Sequence, residues 1–235
     1  MRSLSFRFYS ALIMMVMVFF LILAPGTSRV MEVSGVWPSP GIIYKGDKGT
    51  ALTFNVTIGD SSVSWLIEEL NRRGIQKAAF FLDPAWVDRH SDIVEELIES
   101  GFDIGIYDLH PGRYDKMTEK EMDNHILSLI SFFNEYELKP AYYRTKGQLL
   151  QPPVVKRLRE HELLVVDYLI DEGTLEDSDQ SIEGAVVALE LVNKDEEMKE
   201  DWDKWYRVMA KTKNLKYVSI LELLASSDSK IKLLE

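Results

Sequence analysis

The sequence contains no cysteine among its 235 residues. Disulfide bonds, a cysteine nucleophile and zinc sites built from cysteine are therefore excluded. The sequence also lacks a glycine-rich phosphate loop, the turn of a serine nucleophile elbow and a His-Glu-x-x-His motif. The sequence therefore gives no support for a P-loop nucleotide hydrolase, an α/β-hydrolase with a serine nucleophile or a zincin-type metalloprotease.

Acidic residues are absent from the N-terminal region, and charge of either sign is absent from residues 8–28. Arg2 and Arg7 precede this apolar run, which is typical of an export signal. The run approaches the roughly 20 apolar residues that span a membrane. Small residues just before Thr27 also suit cleavage at that point. We predict that residues 1–30 are a signal peptide or a membrane anchor, so that the rest of the chain is extracytoplasmic.

Basic residues are outnumbered in the exported part of the chain. The whole sequence has 27 lysine and arginine residues and 38 aspartate and glutamate residues. Three arginines fall in the first thirty positions, which leaves 24 basic against 38 acidic residues and a charge of −14. Such a charge repels polyanions, so we predict no nucleic-acid partner. The remaining length suits a single domain, and the lack of cysteine suits an exported bacterial protein.

Apolar patterns divide the exported part into a linker and one domain. Proline and glycine around Trp37 indicate a linker over residues 31–49 with a short strand at 41–44, and residues 50–235 form the predicted domain. Strands are predicted at residues 51–56, 78–82, 104–107, 142–143, 163–169, 185–191 and 217–220, and helices at 61–73, 91–100, 118–136, 153–161 and 201–210. This alternation predicts an α/β fold with a parallel sheet or barrel and a site at the carboxyl ends of the strands.

Several short segments follow the order and spacing of a known family. ALTFNV, KAAFF, RHSDIV and GFDIG resemble the opening of the NodB-type polysaccharide deacetylases, and YYRTKG, YLID, GAVVALE and NLKYVSILELL resemble later family segments. The resemblance covers residues 51–224 and implies a distorted (β/α) barrel with fewer than eight full units. The variant run at residues 53–59 is similar to the branch associated with spore-forming bacteria, which implies a role in sporulation.

The resemblance implies a hydrolase with a divalent metal held by an aspartate and two histidines, an aspartate base and a histidine acid. Most of these positions are changed in this chain. Asn55 stands at the position of the base, Val56 at the metal aspartate and Tyr107 at the first histidine ligand. Glu190 stands where the acid histidine would be. His110, which precedes a proline, matches the second ligand only if one residue has been deleted.

Some positions retain polar groups that could serve in a site. Arg144 and Asp171 match the arginine and aspartate that flank the base, and we predict that they persist as a partly buried ion pair in the groove. Asp108 and His110 are the candidates for a remodelled metal site, to which Glu190 would add a third ligand. Two ligands alone fall short of the three that a catalytic zinc usually has.

Other conspicuous residues have simpler interpretations. The acidic stretch at residues 171–183 is predicted to be a solvated loop, because it lacks the spacing of a calcium-binding loop. Trp202, Trp205 and Met209 recur at helical spacing and are interpreted as a core stripe, with stacking on sugar rings as the alternative. The remaining histidines are interpreted as structural or surface residues: His90, His125 and His161.

Three hypotheses from different classes remain open. The first, favoured by the loss of several catalytic positions, is a catalytically silent deacetylase-like domain of the cell envelope that needs no cofactor and binds a glycan or an envelope protein. The second is an active deacetylase of N-acetylated wall polysaccharide or peptidoglycan, with zinc or another divalent metal in the remodelled site. The third is a structural or regulatory protein of the envelope or spore whose groove is closed by Val56, Ile58 and Tyr107.

Overall fold

Six parallel strands form the main sheet of the described part of the chain. A computed structural model describes residues 41–177, 181–225 and 230–233. The strands are β1 (Gly41–Lys45), β2 (Ala51–Val56), β3 (Ala79–Leu82), β4 (Asp103–Asp108), β5 (Tyr142–Thr145), β6 (Leu164–Val165), β7 (Val186–Glu190) and β8 (Lys230–Leu233). Strands β2 to β7 pair in parallel in the order β6-β5-β4-β3-β2-β7, and β1 pairs with β8 in a separate antiparallel sheet.

Helices flank the parallel sheet. They are α1 (Ser61–Arg72), α2 (Pro84–Val87), α3 (Ser91–Ser100), α4 (Glu119–Glu135), α5 (Pro152–Glu160), α6 (Glu172–Asp177), α7 (Asp195–Met209) and α8 (Ile220–Leu224), with a 3₁₀ helix at Pro111–Lys116. The capping box predicted for the longest helix is present, because Thr118 and Glu121 bond each other's backbone at the start of α4. The curled sheet with flanking helices confirms the predicted α/β fold of the distorted (β/α) barrel type.

Strand alternation divides the apolar core into two layers. Successive side chains of a strand point to opposite faces, so sequence parity decides the layer to which each residue belongs. The outer layer, between sheet and helices, includes Phe54, Phe80 and Trp202. The inner layer, on the concave face, includes Phe81 and Tyr107. Residues at the carboxyl ends of the strands are therefore directed either into the concave face or under the helices.

The C-terminal tryptophans belong to the outer layer. Trp202, Trp205 and Met209 on α7 are all buried, which confirms the predicted core stripe. Helix α7 begins at Asp195, well before its predicted start at residue 201. Three acidic residues occupy its first turn, where they interact favourably with the helix dipole although they contribute no apolar periodicity.

Three predicted elements differ from the structure. The strand expected at residues 163–169 pairs regularly only over β6, which lies at the edge of the sheet. The expected loop at residues 171–183 contains helix α6, because the buried Leu175 anchors it to the core. The expected strand at residues 217–220 is reduced to one bridge between Tyr217 and Thr50, since Ser219 caps helix α8 directly afterwards.

The short strand predicted at residues 41–44 is present as β1. Strand β1 lies inside the expected linker, residues 31–49, and its Ile42 and Ile43 are buried. The folded domain therefore begins no later than Gly41. The expected signal peptide or anchor, residues 1–30, lies outside the described residues. Within the described ranges, no helix has the length and apolar character needed to cross a membrane.

Candidate functional site

Four polar side chains meet on the concave face near the carboxyl ends of the strands. Asn55 and Glu190 are register partners on β2 and β7, and Tyr107 and Arg144 are register partners on β4 and β5. Asn55, Tyr107 and Arg144 are buried, whereas Glu190 is partly exposed. We call these four residues the inner polar network. It occupies the place where the family resemblance puts the base, a metal ligand and the acid.

Asn55 lies at the centre of this network. Its Oδ1 accepts a hydrogen bond from Arg144 Nη1 at 2.9 Å, and its Nδ2 donates to Glu190 Oε1 at 3.1 Å. The donor on one side and the acceptor on the other fix the orientation of the amide. Because an amide does not accept a proton at neutral pH, Asn55 positions its neighbours but cannot act as a general base.

Tyr107 contributes the second hydrogen bond to the same carboxylate. Its hydroxyl donates to Glu190 Oε1 at 2.7 Å. Burial, followed by the bond to Glu190, raises the pKa of Tyr107, so the phenol stays protonated and remains a donor at neutral pH. The backbone N–H of Glu190 donates to the carboxylate of Glu172, whose pKa is raised chiefly by burial. Two acidic residues from β7 and α6 are therefore in contact at the rim.

Arg144 is held by neutral oxygen atoms. Nη1 also donates to Thr53 Oγ1 at 2.8 Å, and Nε donates to the carbonyl oxygen of Val166 at 3.1 Å. The guanidinium carbon lies 3.9 Å from the ring centroid of Phe81, which has room because a side chain at Gly105 would collide with it. Burial lowers the pKa of Arg144 to about 10, so the group remains charged at neutral pH.

The predicted ion pair between Arg144 and Asp171 is wrong. Asp171 Oδ1 accepts a 2.9 Å hydrogen bond from the backbone N–H of Thr174 at the start of α6, and this bond lowers the pKa of Asp171. Among the described residues, no carboxylate oxygen lies within 4.0 Å of the Arg144 guanidinium nitrogens. Asp167, rather than Asp171, exerts the strongest attraction on this cation. Asp171 therefore binds the nearby backbone N–H at the start of α6 rather than the more distant Arg144.

Asp108 faces away from the network, on the opposite side of β4 from Tyr107. Its Oδ2 accepts from the Tyr143 hydroxyl at 2.5 Å, and its Oδ1 accepts from the backbone N–H of His110 at 2.8 Å. Arg113 Nη2 adds an ion pair at 3.3 Å. The buried carboxylate is therefore already occupied by three donors from the surrounding chain.

The three residues of the expected remodelled metal site are not brought together. Asp108 belongs to the outer face, Glu190 to the concave face, and the side chain of His110 is exposed. The divalent metal implied by the family therefore does not fit the residues present. Within the described ranges, no three histidine, aspartate or glutamate side chains are grouped to hold a metal ion.

The expected closure of the groove involves only one of its three residues. Val56 is fully buried in the outer layer, because it follows Asn55 by one position and points to the other face. Ile58 is 49% exposed. Tyr107 alone lies on the concave face, where its ring belongs to the inner apolar layer.

A cavity opens beside the network at the ends of β5 and β6. Its volume is about 210 Å³, and Arg144, Gln148, Leu149, Asp167 and Tyr168 contribute to its wall. Leu149 and Tyr168 are 47% and 37% exposed, so the cavity is reached from solvent past apolar side chains. The edge of the sheet next to the network therefore has space for a small group despite the filled catalytic positions.

Solved structures share the arrangement of strands and helices. A mutant of BA3943, a CE4 family pseudoenzyme of Bacillus anthracis, aligns with a TM-score of 0.66 and 18% identity over 79% of this chain and 71% of that chain. The chain has the family 4 carbohydrate esterase fold. The family 4 carbohydrate esterase PdaA of Bacillus subtilis aligns with a TM-score of 0.64 and 17% identity over 78% of this chain and 84% of that chain.

The same fold extends to a fungal enzyme. The chitin deacetylase of Colletotrichum lindemuthianum aligns with a TM-score of 0.65 and 13% identity over 81% of this chain and 94% of that chain. These alignments confirm for this chain the fold that the resemblance to NodB-type deacetylases implies. No protein-family model matches the sequence, and sequence comparison with known proteins finds no match.

Sequence reasoning missed several residues that contact the inner polar network. Thr53 links Arg144 to the carbonyl oxygen of Val187, and Glu172 accepts the backbone N–H of Glu190. The parity of Thr53 with Asn55 on one strand was a usable signal for the first contact. No sequence signal pointed to Glu172, because its position depends on how α6 packs.

Proposed function

We propose that this chain is a deacetylase-like protein of the cell envelope that lacks metal-dependent N-deacetylase activity and binds a glycan at the carboxyl ends of its strands. The observation that carries the proposal is the amide of Asn55, which bridges Arg144 and Glu190. At this position an active enzyme of the family needs a carboxylate that takes a proton from water. The amide keeps the hydrogen bonds but removes the base.

The remaining acid supports the same conclusion. Glu190 is the one carboxylate of the inner polar network, and its Oε1 accepts hydrogen bonds from both Asn55 and Tyr107. An acid without a base or a metal does not hydrolyse an amide. Among the described residues, Oε2 of Glu190 receives no hydrogen bond, which leaves an acceptor for a ligand hydroxyl at the rim.

The choice of a glycan rests on the structural neighbours and on the rim. The similar structures include a chitin deacetylase, a peptidoglycan N-acetylglucosamine deacetylase and a protein described as a pseudoenzyme. The exposed Leu149 and Tyr168 line the cavity together with Asp167 and provide the apolar and polar contacts that a sugar ring uses. An extracytoplasmic location and attachment through residues 1–30 also belong to the proposal, and they rest on the uncharged apolar run at residues 8–28. Use during sporulation completes it and rests on sequence resemblance.

The test is a paired assay on the full chain in mild detergent, supplied with zinc, cobalt or manganese. Acetate release and ligand binding are measured with chitooligosaccharides and peptidoglycan fragments. We expect no acetate release and saturable glycan binding that weakens in Glu190→Gln but not in Glu95→Gln, an exposed control on α3. Metal-dependent acetate release that disappears in Glu190→Gln would instead establish an active enzyme. Absence of any glycan binding would favour a protein partner.

A further inference from the structure

The cavity at the ends of β5 and β6 contains a cation and an anion that do not pair with each other. Arg144 and Asp167 both contribute to its wall. In the described part of the chain, neither side chain has an oppositely charged group within 4.0 Å. Both side chains line the same cavity, and Asp167 attracts Arg144 electrostatically across a distance longer than 4.0 Å.

Arg144 is buried, so the lack of an anionic partner is energetically unfavourable. Only 1% of this residue is exposed, and its Nη2 has no hydrogen-bond partner among the described residues. A buried cation is normally paired, because removal from water is not offset by neutral acceptors alone. The cavity wall has a low dielectric constant. Arg144 therefore attracts an anion in the cavity more strongly than it would attract one in water. A carboxylate therefore fits the Arg144 side of the cavity.

Asp167 favours a cationic group on its side of the cavity. Among the described residues, its Oδ1 accepts only the backbone N–H of Tyr168, at 2.9 Å. A ligand that carried a carboxylate alone would be repelled by this group, and a ligand that carried an ammonium alone would be repelled by Arg144. A molecule with both charges interacts favourably with both walls.

We propose that this cavity binds a small zwitterion of the α-amino acid type, with its carboxylate towards Arg144 and its ammonium towards Asp167. The volume of about 210 Å³ limits the ligand to a small side chain. Ile42, Leu150 and Val165 are buried apolar residues of the wall and provide the contact for that side chain. The proposal requires no glycan binding and is independent of the function proposed above.

The test measures binding of three matched probes to the full chain in mild detergent by equilibrium dialysis. Alanine carries both charges, propanoate only the carboxylate and ethylamine only the ammonium. We expect alanine to bind about tenfold or more tightly than either single-charge probe. In Asp167→Asn, alanine binding should weaken about tenfold while propanoate binding is unchanged or stronger, because a repulsive charge has been removed.

A second pair of variants tests the location without touching the buried arginine. Leu149→Trp places a large ring at the exposed rim of the cavity and should weaken alanine binding about tenfold or more. Leu127→Trp makes the same change at an exposed position on α4 and should leave binding unchanged. Absence of saturable alanine binding, equal affinity for all three probes, or binding that survives Leu149→Trp would overturn the proposal. Glycan binding without alanine binding would overturn this inference alone, and the reverse result would overturn only the proposed function.

Discussion

Tyr107 and Glu190 are joined by a 2.7 Å hydrogen bond although two other strands separate β4 from β7 in the sheet. In a flat sheet these strands would lie roughly 14 Å apart, at about 4.8 Å per strand. The bond therefore depends on the curl of the sheet, which brings distant strands together on the concave face. Arg144 makes the equivalent link from β5 to Thr53 and Asn55 on β2.

Removal of the Tyr107 hydroxyl should destabilise the domain. Tyr107→Phe leaves the Glu190 carboxylate with one donor fewer in a partly buried place, and we expect a loss of about 1–2 kcal/mol in the free energy of unfolding. Tyr168→Phe changes a more exposed tyrosine and should cost less than about 0.5 kcal/mol. Urea unfolding followed by tryptophan fluorescence measures both. Equal losses in the two variants would show that the hydrogen bond between Tyr107 and Glu190 does not stabilise the domain.

Restoration of a carboxylate at the base position should create a pH-dependent defect. Asn55→Asp places a second acid against Glu190 and removes the Nδ2 donor, while the new carboxylate also pairs with Arg144. The ion pair offsets part of the cost, so we expect a net loss of about 1 kcal/mol at pH 7. One shared proton relieves the repulsion between the two carboxylates, so the loss should shrink as pH falls towards about 4. Chemical unfolding across this pH range measures it. The loss should be smaller when Glu190→Gln is already present, and the same loss in both backgrounds would contradict the prediction.

Asp108 and His110 should behave as structural and surface residues. Asp108→Ala removes the acceptor of three donors, of which the Tyr143 hydroxyl is at a buried position, and should cost about 2–3 kcal/mol. His110→Ala removes an exposed side chain while its backbone N–H remains, and should cost less than about 0.5 kcal/mol. Zinc binding measured by equilibrium dialysis should be the same in the wild type and in His110→Ala. Loss of stoichiometric zinc in that variant would restore the hypothesis of a remodelled metal site.

Neutralisation of Glu172 should stabilise the protein in a pH-dependent manner. Burial raises the pKa of this carboxyl above its unfolded value, so its contribution to stability is fully present at low pH and is lost as pH rises through the folded-state pKa. Glu172→Gln keeps an oxygen to accept the backbone N–H of Glu190 and removes the charge. We expect the variant to melt at a higher temperature than the wild type at pH 8 and at nearly the same temperature at pH 4. Glu95→Gln, at an exposed position, should show no such difference.

The sequence predicted the regular elements better than their edges. Strands β2, β3 and β7 were predicted nearly as they occur because buried apolar runs bounded by turns have few alternatives. Helix α6 was missed within an acidic stretch, since a single buried residue, Leu175, fixes it to the core. The early start of α7 was missed for a related reason, because its first turn is stabilised by charge rather than by an apolar face.

The sequence by itself determined which chemical groups are present at the old catalytic positions. An amide at residue 55 and a phenol at residue 107 cannot become a base or a histidine ligand in any fold. Tertiary structure alone decided which groups meet. The curl of the sheet joined Tyr107 to Glu190, strand parity sent Asp108 to the opposite face, and the start of α6 took Asp171 away from Arg144. These outcomes depend on contacts between residues far apart in the chain, which local patterns of polarity do not specify.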